Sequence, residues 1–295
     1  MTEILDAHVH FWDPRARHHA WLSELAPLQR RFGPEDLDTG HHELIGAVFV
    51  QADCQDDEAL DEVRWVGRLA ADHPVIRGIV AYAPLHEGRS AQRHLEALAA
   101  EGLVVGVRRL LQGLPSEAIT SRMLISGVRL LPDWGLTFDL CATHDQLPAV
   151  IELVGACPRT SFILDHVGKP PVASGRIEPW RQDLIRLAAC PNVVCKLSGL
   201  ATEAAPGRGL QGVRPYLEHA LSIFGPQRCM IASDWPVATL QTTVQRWFDA
   251  VLELVVDLDP ADQAAVLRDT AAGAYGLMIP HPTTGGSDAR SGLSR

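Results

Sequence analysis

The sequence is nearly without lysine: of its 26 basic residues only two, Lys169 and Lys196, are lysines, and 24 are arginines. Arginine therefore serves as the surface cation, and the two positions that keep lysine are candidates for work needing a compact, titratable ammonium, with ordinary ion pairing as the alternative. The chain also lacks a positive balance. A formal net charge of −10 excludes the broad basic surface that nucleic acids and anionic membranes require, leaving a small molecule as the expected partner. The six cysteines, Cys54, Cys141, Cys157, Cys190, Cys195 and Cys229, contain no Cys-x-x-Cys spacing, and most fall in or beside apolar runs. They read as reduced core residues rather than as a disulfide framework or a zinc knuckle. No stretch of eighteen apolar residues occurs, and Met1-Thr2-Glu3 leads straight into a strand-like run with no basic or apolar leader. The expectation is a cytoplasmic protein.

What is present is a regular alternation. With 295 residues, 46% of them hydrophobic, the chain can bury a large core, and no compositional shift marks a domain boundary. Short β-branched runs at 4–11, 46–52, 76–83, 104–111, 136–142, 161–167, 193–199 and 229–234 read as eight strands. Helical patterns fall at 57–72, 91–100, 116–131, 145–157, 178–190, 213–224, 239–257 and 260–277, with Asp56, Ser116, Thr239 and Asp259 as candidate caps. Eight such units predict a single α/β domain, a (β/α)8 barrel over 1–280, followed by a polar tail, 281–295, with no pattern that could pack. Two connections are unusually long, 12–43 and 200–212. The first carries His18, His19, Trp21, His41 and His42 and reads as a lid, a contact between copies in a homo-oligomer, or a solvated loop.

In such a barrel chemistry gathers where the strands end. Strand one ends in His8-Val9-His10, whose imidazoles share a face because side chains alternate along a strand. That pair can bind one metal ion or polarise one substrate oxygen. Later strand ends supply Gln51, Arg108, Asp139 with nearby His144, Asp165-His166-Val167-Gly168-Lys169, Lys196 and Ser233-Asp234-Trp235-Pro236. Asp234, facing the histidines of strand one, is a candidate base for water or a metal ligand.

The motifs Asp6-Ala7-His8-Val9-His10-Phe11-Trp12-Asp13-Pro14, Leu164-Asp165-His166-Val167-Gly168-Lys169-Pro170, Cys195-Lys196-Leu197-Ser198-Gly199-Leu200 and Ser233-Asp234-Trp235-Pro236 resemble the amidohydrolase superfamily. The likeness is to its amidohydrolase-2 branch and, within that, to the sugar-lactonase group. The resemblance implies catalytic roles for His8, His10, His166 and Asp234. Binuclear members carry a bridging lysine or glutamate after strand four and a histidine after strand five, where this chain has Arg108 and Asp139, so a two-metal site is not expected. One divalent cation, zinc first, on His8, His10 and Asp234 is one expectation, and action without metal is the other.

The resulting expectation is hydrolysis of a lactone by water activated at Asp234. The developing oxyanion would be met by the histidines, with Arg108 or a lysine assisting. A metal-dependent decarboxylase or amide hydrolase and a non-catalytic binding barrel are the alternatives. For the substrate, Arg108, Lys169, Lys196, Gln51, Asp139, His144, Trp12 and Glu203 are the candidate contacts. A neutral sugar lactone is favoured over a dicarboxylate because Asp139 and Glu203 would repel the latter.

Overall fold

The computed structural model describes residues 2–279, so the 281–295 tail lies outside the described residues. Eight strands follow in order: β1 (Glu3–Val9), β2 (Glu43–Val50), β3 (Ile76–Tyr82), β4 (Val104–Arg108), β5 (Thr137–Leu140), β6 (Phe162–Leu164), β7 (Val193–Leu197) and β8 (Cys229–Ile231). Each pairs in parallel with the next, in one sheet ordered β1 to β8. This is the expected (β/α)8 barrel. The ring closes beyond the end of β8. Val9 bridges Trp235, His10 N–H donates to the Trp235 carbonyl at 2.7 Å, and Asp234 N–H donates to the His8 carbonyl at 2.9 Å.

Two apolar layers hold the ring. Leu5, Ala7, Val48, Val50, Val80, Ile163, Met230 and Ala232 form an inner cluster, which Ala271, Ala272 and Tyr275 of the last helix join. A larger outer cluster lies between the strands and their helices. Leu5 and Ala7 belong to the inner layer, yet His8 and His10, of the opposite parity, also reach the barrel's centre. The register of β1 against β2 slips between Asp6 and Val9, and such a bulge re-aims the side chains beyond it.

Helices Ala59–Asp72, Gln92–Ala99, Leu147–Ala156, Trp180–Ala188, Arg214–Phe224 and Val244–Val255 match the expected segments. Three expected caps move. The 116–131 segment breaks into Ser116–Ile119 and Arg122–Val128, because the Ser121 hydroxyl accepts the Leu124 N–H and starts a new helix. Thr243, not Thr239, caps the helix after β8, and the Asp56 carboxylate takes the Tyr82 hydroxyl instead of capping. Asp259 does cap, accepting Asp262 N–H ahead of Pro260.

The β1–β2 connection contains only the 3-10 turns Ala20–Glu24, Ala26–Leu28 and Pro34–Asp36. It is held by paired hydrogen bonds between Trp12 and Phe32 and by the edge-to-face packing of Trp12, Trp21 and Phe32. Among the described residues no helix is long and apolar enough to cross a membrane.

Candidate active site

Three imidazoles converge on one carboxylate oxygen. Asp234 Oδ1 lies 3.7 Å from His8 Nε2, 3.5 Å from His10 Nε2 and 3.9 Å from His166 Nε2. Each ring is aimed by its other nitrogen. His10 Nδ1 is 2.7 Å from the Val50 carbonyl, which can only accept, so Nδ1 carries the proton and Nε2 presents its lone pair. His166 Nδ1 meets the Ser198 hydroxyl at 2.9 Å. His8 Nδ1 lies between Lys196 Nζ at 3.1 Å and Asp165 Oδ1 at 3.3 Å. Asp6 Oδ1 accepts from Ser233 N–H at 2.8 Å and His8 N–H at 3.1 Å, pinning both sides of the seam where β8 meets β1.

The backbone is strained at the same place. Of the five non-glycine residues with positive φ among the described residues, Asp234 (60°), His166 (53°), Lys169 (45°) and Asp53 (56°) surround the cavity, and Val167 (55°) adjoins His166. Left-handed conformations cost energy in such residues and persist where the surrounding packing fixes them, commonly at functional sites.

Beneath the histidines runs a buried ionic network. Lys196 Nζ sits 2.5 Å from Asp139 Oδ2 and 3.0 Å from Asp165 Oδ1, and the Tyr275 hydroxyl donates to Asp139 Oδ2 at 2.8 Å. Arg108 donates to the Gln51 carbonyl at 2.6 Å, and its other terminal nitrogen lies 3.5 Å from Asp165 and 3.4 Å from His8 Nε2. Burial pushes Asp139 up against the pull of Lys196. For Asp165 burial also acts upward, but Lys196 and His8 outweigh it and hold the carboxyl well below its ordinary range. Asp234 behaves likewise: burial acts upward, but the facing imidazoles, His166 first, outweigh it and hold the carboxyl below its ordinary range. Burial lowers His166 to about 4 despite Asp234, which leaves its ring neutral.

Above this floor opens a cavity of about 270 Å³ lined by His10, His166, Asp234, Arg108, Lys169 and Asp53, with Trp21, Gln112 and Cys141 at its walls. That is slightly below the ~300–1,000 Å³ of sites for drug-sized ligands and suits a smaller molecule. A larger depression between 206–211 and 240–246 has no clustered imidazoles or carboxylates.

The structure brings together His8, His10, His166 and Asp234, with Arg108 and Lys169 on the cavity wall. Lys196 and Asp139 are fully buried under His8 and do not reach the cavity. Gln51 is buried, its side chain accepting from Asp53 N–H and its carbonyl holding Arg108. Trp12 is also buried, with its indole donating to the Leu28 carbonyl. His144 meets the Lys169 carbonyl, and Glu203 pairs with Lys169 at 3.6 Å. Sequence reasoning assigned no role to Asp6, Asp165, Asp53 or Tyr275. The first three adjoin recognised strand ends and could have been found there, whereas Tyr275, in the last helix, carried no signal.

The donor set fits one divalent ion. His8, His10 and Asp234 offer two nitrogens and one oxygen within 4.8 Å of one another, the donor types and number that a zinc keeping one position open takes. A second ion beside His8 would face the Arg108 guanidinium and the Lys196 ammonium.

A closed parallel barrel with a His-x-His on β1, a histidine after β6 and an aspartate after β8 defines a barrel hydrolase of the histidine–carboxylate kind. The chain belongs to the amidohydrolase family, whose model matches residues 5–277. It is 34% identical to an L-fucono-1,5-lactonase of Burkholderia ambifaria over 244 residues, 81% of this chain and 82% of that protein. To an L-fucono-1,5-lactonase of Burkholderia multivorans it is 32% identical over 94% of this chain and 97% of that one. The crystal structure of a zinc-bound amidohydrolase from Burkholderia multivorans superposes with a TM-score of 0.82 at 31% identity, covering 94% of this chain and all of that one. Family, zinc-bound neighbour and ligand set together support a divalent metal.

Proposed function

We propose that this protein hydrolyses the ring of a small lactone, a sugar lactone, with Asp234 as the group that moves the proton. The observation that carries the reading is the convergence of His8, His10 and His166 on Asp234 Oδ1 at the floor of a small polar cavity. Asp234 takes a proton from the attacking water and returns it to the ring oxygen, which leaves as an alkoxide. Arg108, Lys169 and the facing imidazoles stabilise the charge that builds on the carbonyl oxygen. His8, His10 and Asp234 would hold the metal, zinc in this proposal, which when bound polarises the carbonyl and acidifies water. Lys196, Asp139, Asp165 and Tyr275 fix the His8 ring from below rather than touching substrate.

The reason first given for a neutral substrate does not survive for Asp139, which is neutralised by Lys196. Asp53 replaces it, because it lines the cavity together with Arg108 and Lys169. The relatives' activity supports the same class. Turnover of a panel of aldonolactones and dicarboxylate lactones, followed with a pH indicator, tests the proposal. Hydrolysis of sugar lactones by the wild type but not by Asp234→Asn is expected, and inertness toward every lactone overturns it.

A further inference from the structure

His41 and His42 close the long β1–β2 connection and take no part in the cavity. They sit immediately ahead of β2, at the strand end opposite the site, and meet the helix Val244–Val255. His42 Nε2 is 2.9 Å and His41 Nε2 is 3.5 Å from the same oxygen, Asp249 Oδ1, and one donor atom from each of the three residues lies within 4.8 Å of the others. Among the described residues no lysine or arginine pairs with Asp249, so only neutral donors or their protonated forms compete for it.

The arrangement is built rather than incidental. The His42 side chain is buried, its ring set edge-on to Phe248 at 5.7 Å. Gln245, one helical turn before Asp249, lies 3.1 Å from His41 Nδ1. Gly40 adopts φ 63°, and any β-carbon there would collide with the Gln245 side chain. The left-handed turn that brings the segment to the helix is one that glycine adopts without strain.

A tetrahedral zinc with nitrogen and oxygen ligands at ~2.0–2.1 Å separates those atoms by about 3.3 Å. The 3.5 Å His41 distance already fits. The 2.9 Å His42 distance is a hydrogen bond that opens by a few tenths of an ångström when the ion replaces the proton. A half-turn of the Gln245 amide would let its oxygen accept from His41 Nδ1–H, the outer contact that leaves Nε2 free to bind.

We propose that His41, His42 and Asp249 form a second divalent-cation site, separate from the barrel centre. Two imidazoles and one carboxylate select zinc or a neighbouring transition metal over magnesium or calcium. Bound there, the ion would fasten the β1–β2 connection, which has no α-helix of its own, to the helix that follows β8.

The test is metal content of the full chain after equilibration with zinc and removal of excess. His41→Ala and Asp249→Asn are each expected to hold one equivalent fewer than wild type while lactone turnover stays within about two-fold. His10→Asn should retain the His41 site. With cobalt in place of zinc, the wild-type minus His41→Ala spectrum is expected to show the visible bands of a four-coordinate nitrogen–oxygen site. Equal metal content in wild type and both variants, or metal loss confined to His10→Asn, overturns the proposal.

Discussion

Replacing Lys196 with methionine removes the one cation that the buried carboxylates beneath His8 share. Its ammonium is fully buried, 2.5 Å from Asp139, 3.0 Å from Asp165 and 3.1 Å from His8 Nδ1. Breaking a buried ion pair by deleting one partner costs about 3–5 kcal/mol, because a charge is left behind without compensation. Two carboxylates are involved here, but the Tyr275 hydroxyl still serves Asp139 and Arg108 still faces Asp165, so the cost stays within that range. At about 2–4 °C per kcal/mol for a chain of this size, melting should fall by roughly 6–20 °C.

The pH dependence identifies the cause. Without the ammonium, burial raises Asp139, already at about 6, further above its unfolded value, and Asp165 loses the strongest of the charges that hold it down. A group raised in this way contributes stability below its unfolded pKa and loses it as pH rises through the folded value. The variant's deficit should therefore be larger at pH 8 than at pH 5, measured by thermal melts followed by circular dichroism. A deficit below about 1 kcal/mol, typical of an exposed pair, or one equal at the two pH values, would refute the reasoning.

Asp234→Asn should keep its melting temperature within a few degrees while kcat/KM falls on the order of 10²–10⁴-fold, and near-normal turnover would remove Asp234 from the chemistry. Chelation should cost less than His10→Asn does, because it leaves the His10 imidazole in the cavity beside His166, Arg108 and Lys169; loss as deep as that of Asp234→Asn, restored by zinc, would make the histidines ligands first. Glu62 accepts from Ala52 N–H at 3.1 Å and is pushed by burial to about 7, so it destabilises the fold as pH rises from its unfolded value through 7. Glu62→Gln keeps the acceptor and should gain on the order of 1–3 kcal/mol at pH 8 and much less at pH 5; urea midpoints showing the same gain at both would exclude this origin.

The barrel was legible because its signal is repetitive: eight apolar β-branched runs separated by helical periodicity leave few other topologies. His8, His10, His166 and Asp234 were legible because strand ends concentrate polar residues where an apolar barrel has no structural need of them. The division between cavity wall and floor was not. Lys169 and Lys196 look equivalent in the sequence, yet Lys169 lies past β6 on the cavity wall while Lys196 lies within β7 and points into the barrel. Telling them apart requires the exact end of each strand, which depends on long-range pairing. Trp12 was a candidate substrate contact, but the chain turns back at Phe32 and buries it. The helix caps moved for a similar reason, since Ser121 and Thr243 each accept the N–H three residues on, whereas Ser116 lies inside the first turn and the Thr239 hydroxyl donates to the Pro236 carbonyl.

At the seam, β1 and the chain beyond β8 are joined by His8, His10, Asp234 and Trp235 themselves. The residues proposed to do the chemistry are thus also the clasp of the ring. A barrel that opens at this edge, even briefly, parts Asp234 from the histidines, so every turnover certifies a closed ring. Inactivation on heating should then precede the loss of helical signal, and the amides of His10 and Asp234 should exchange with solvent at the rate at which activity is lost.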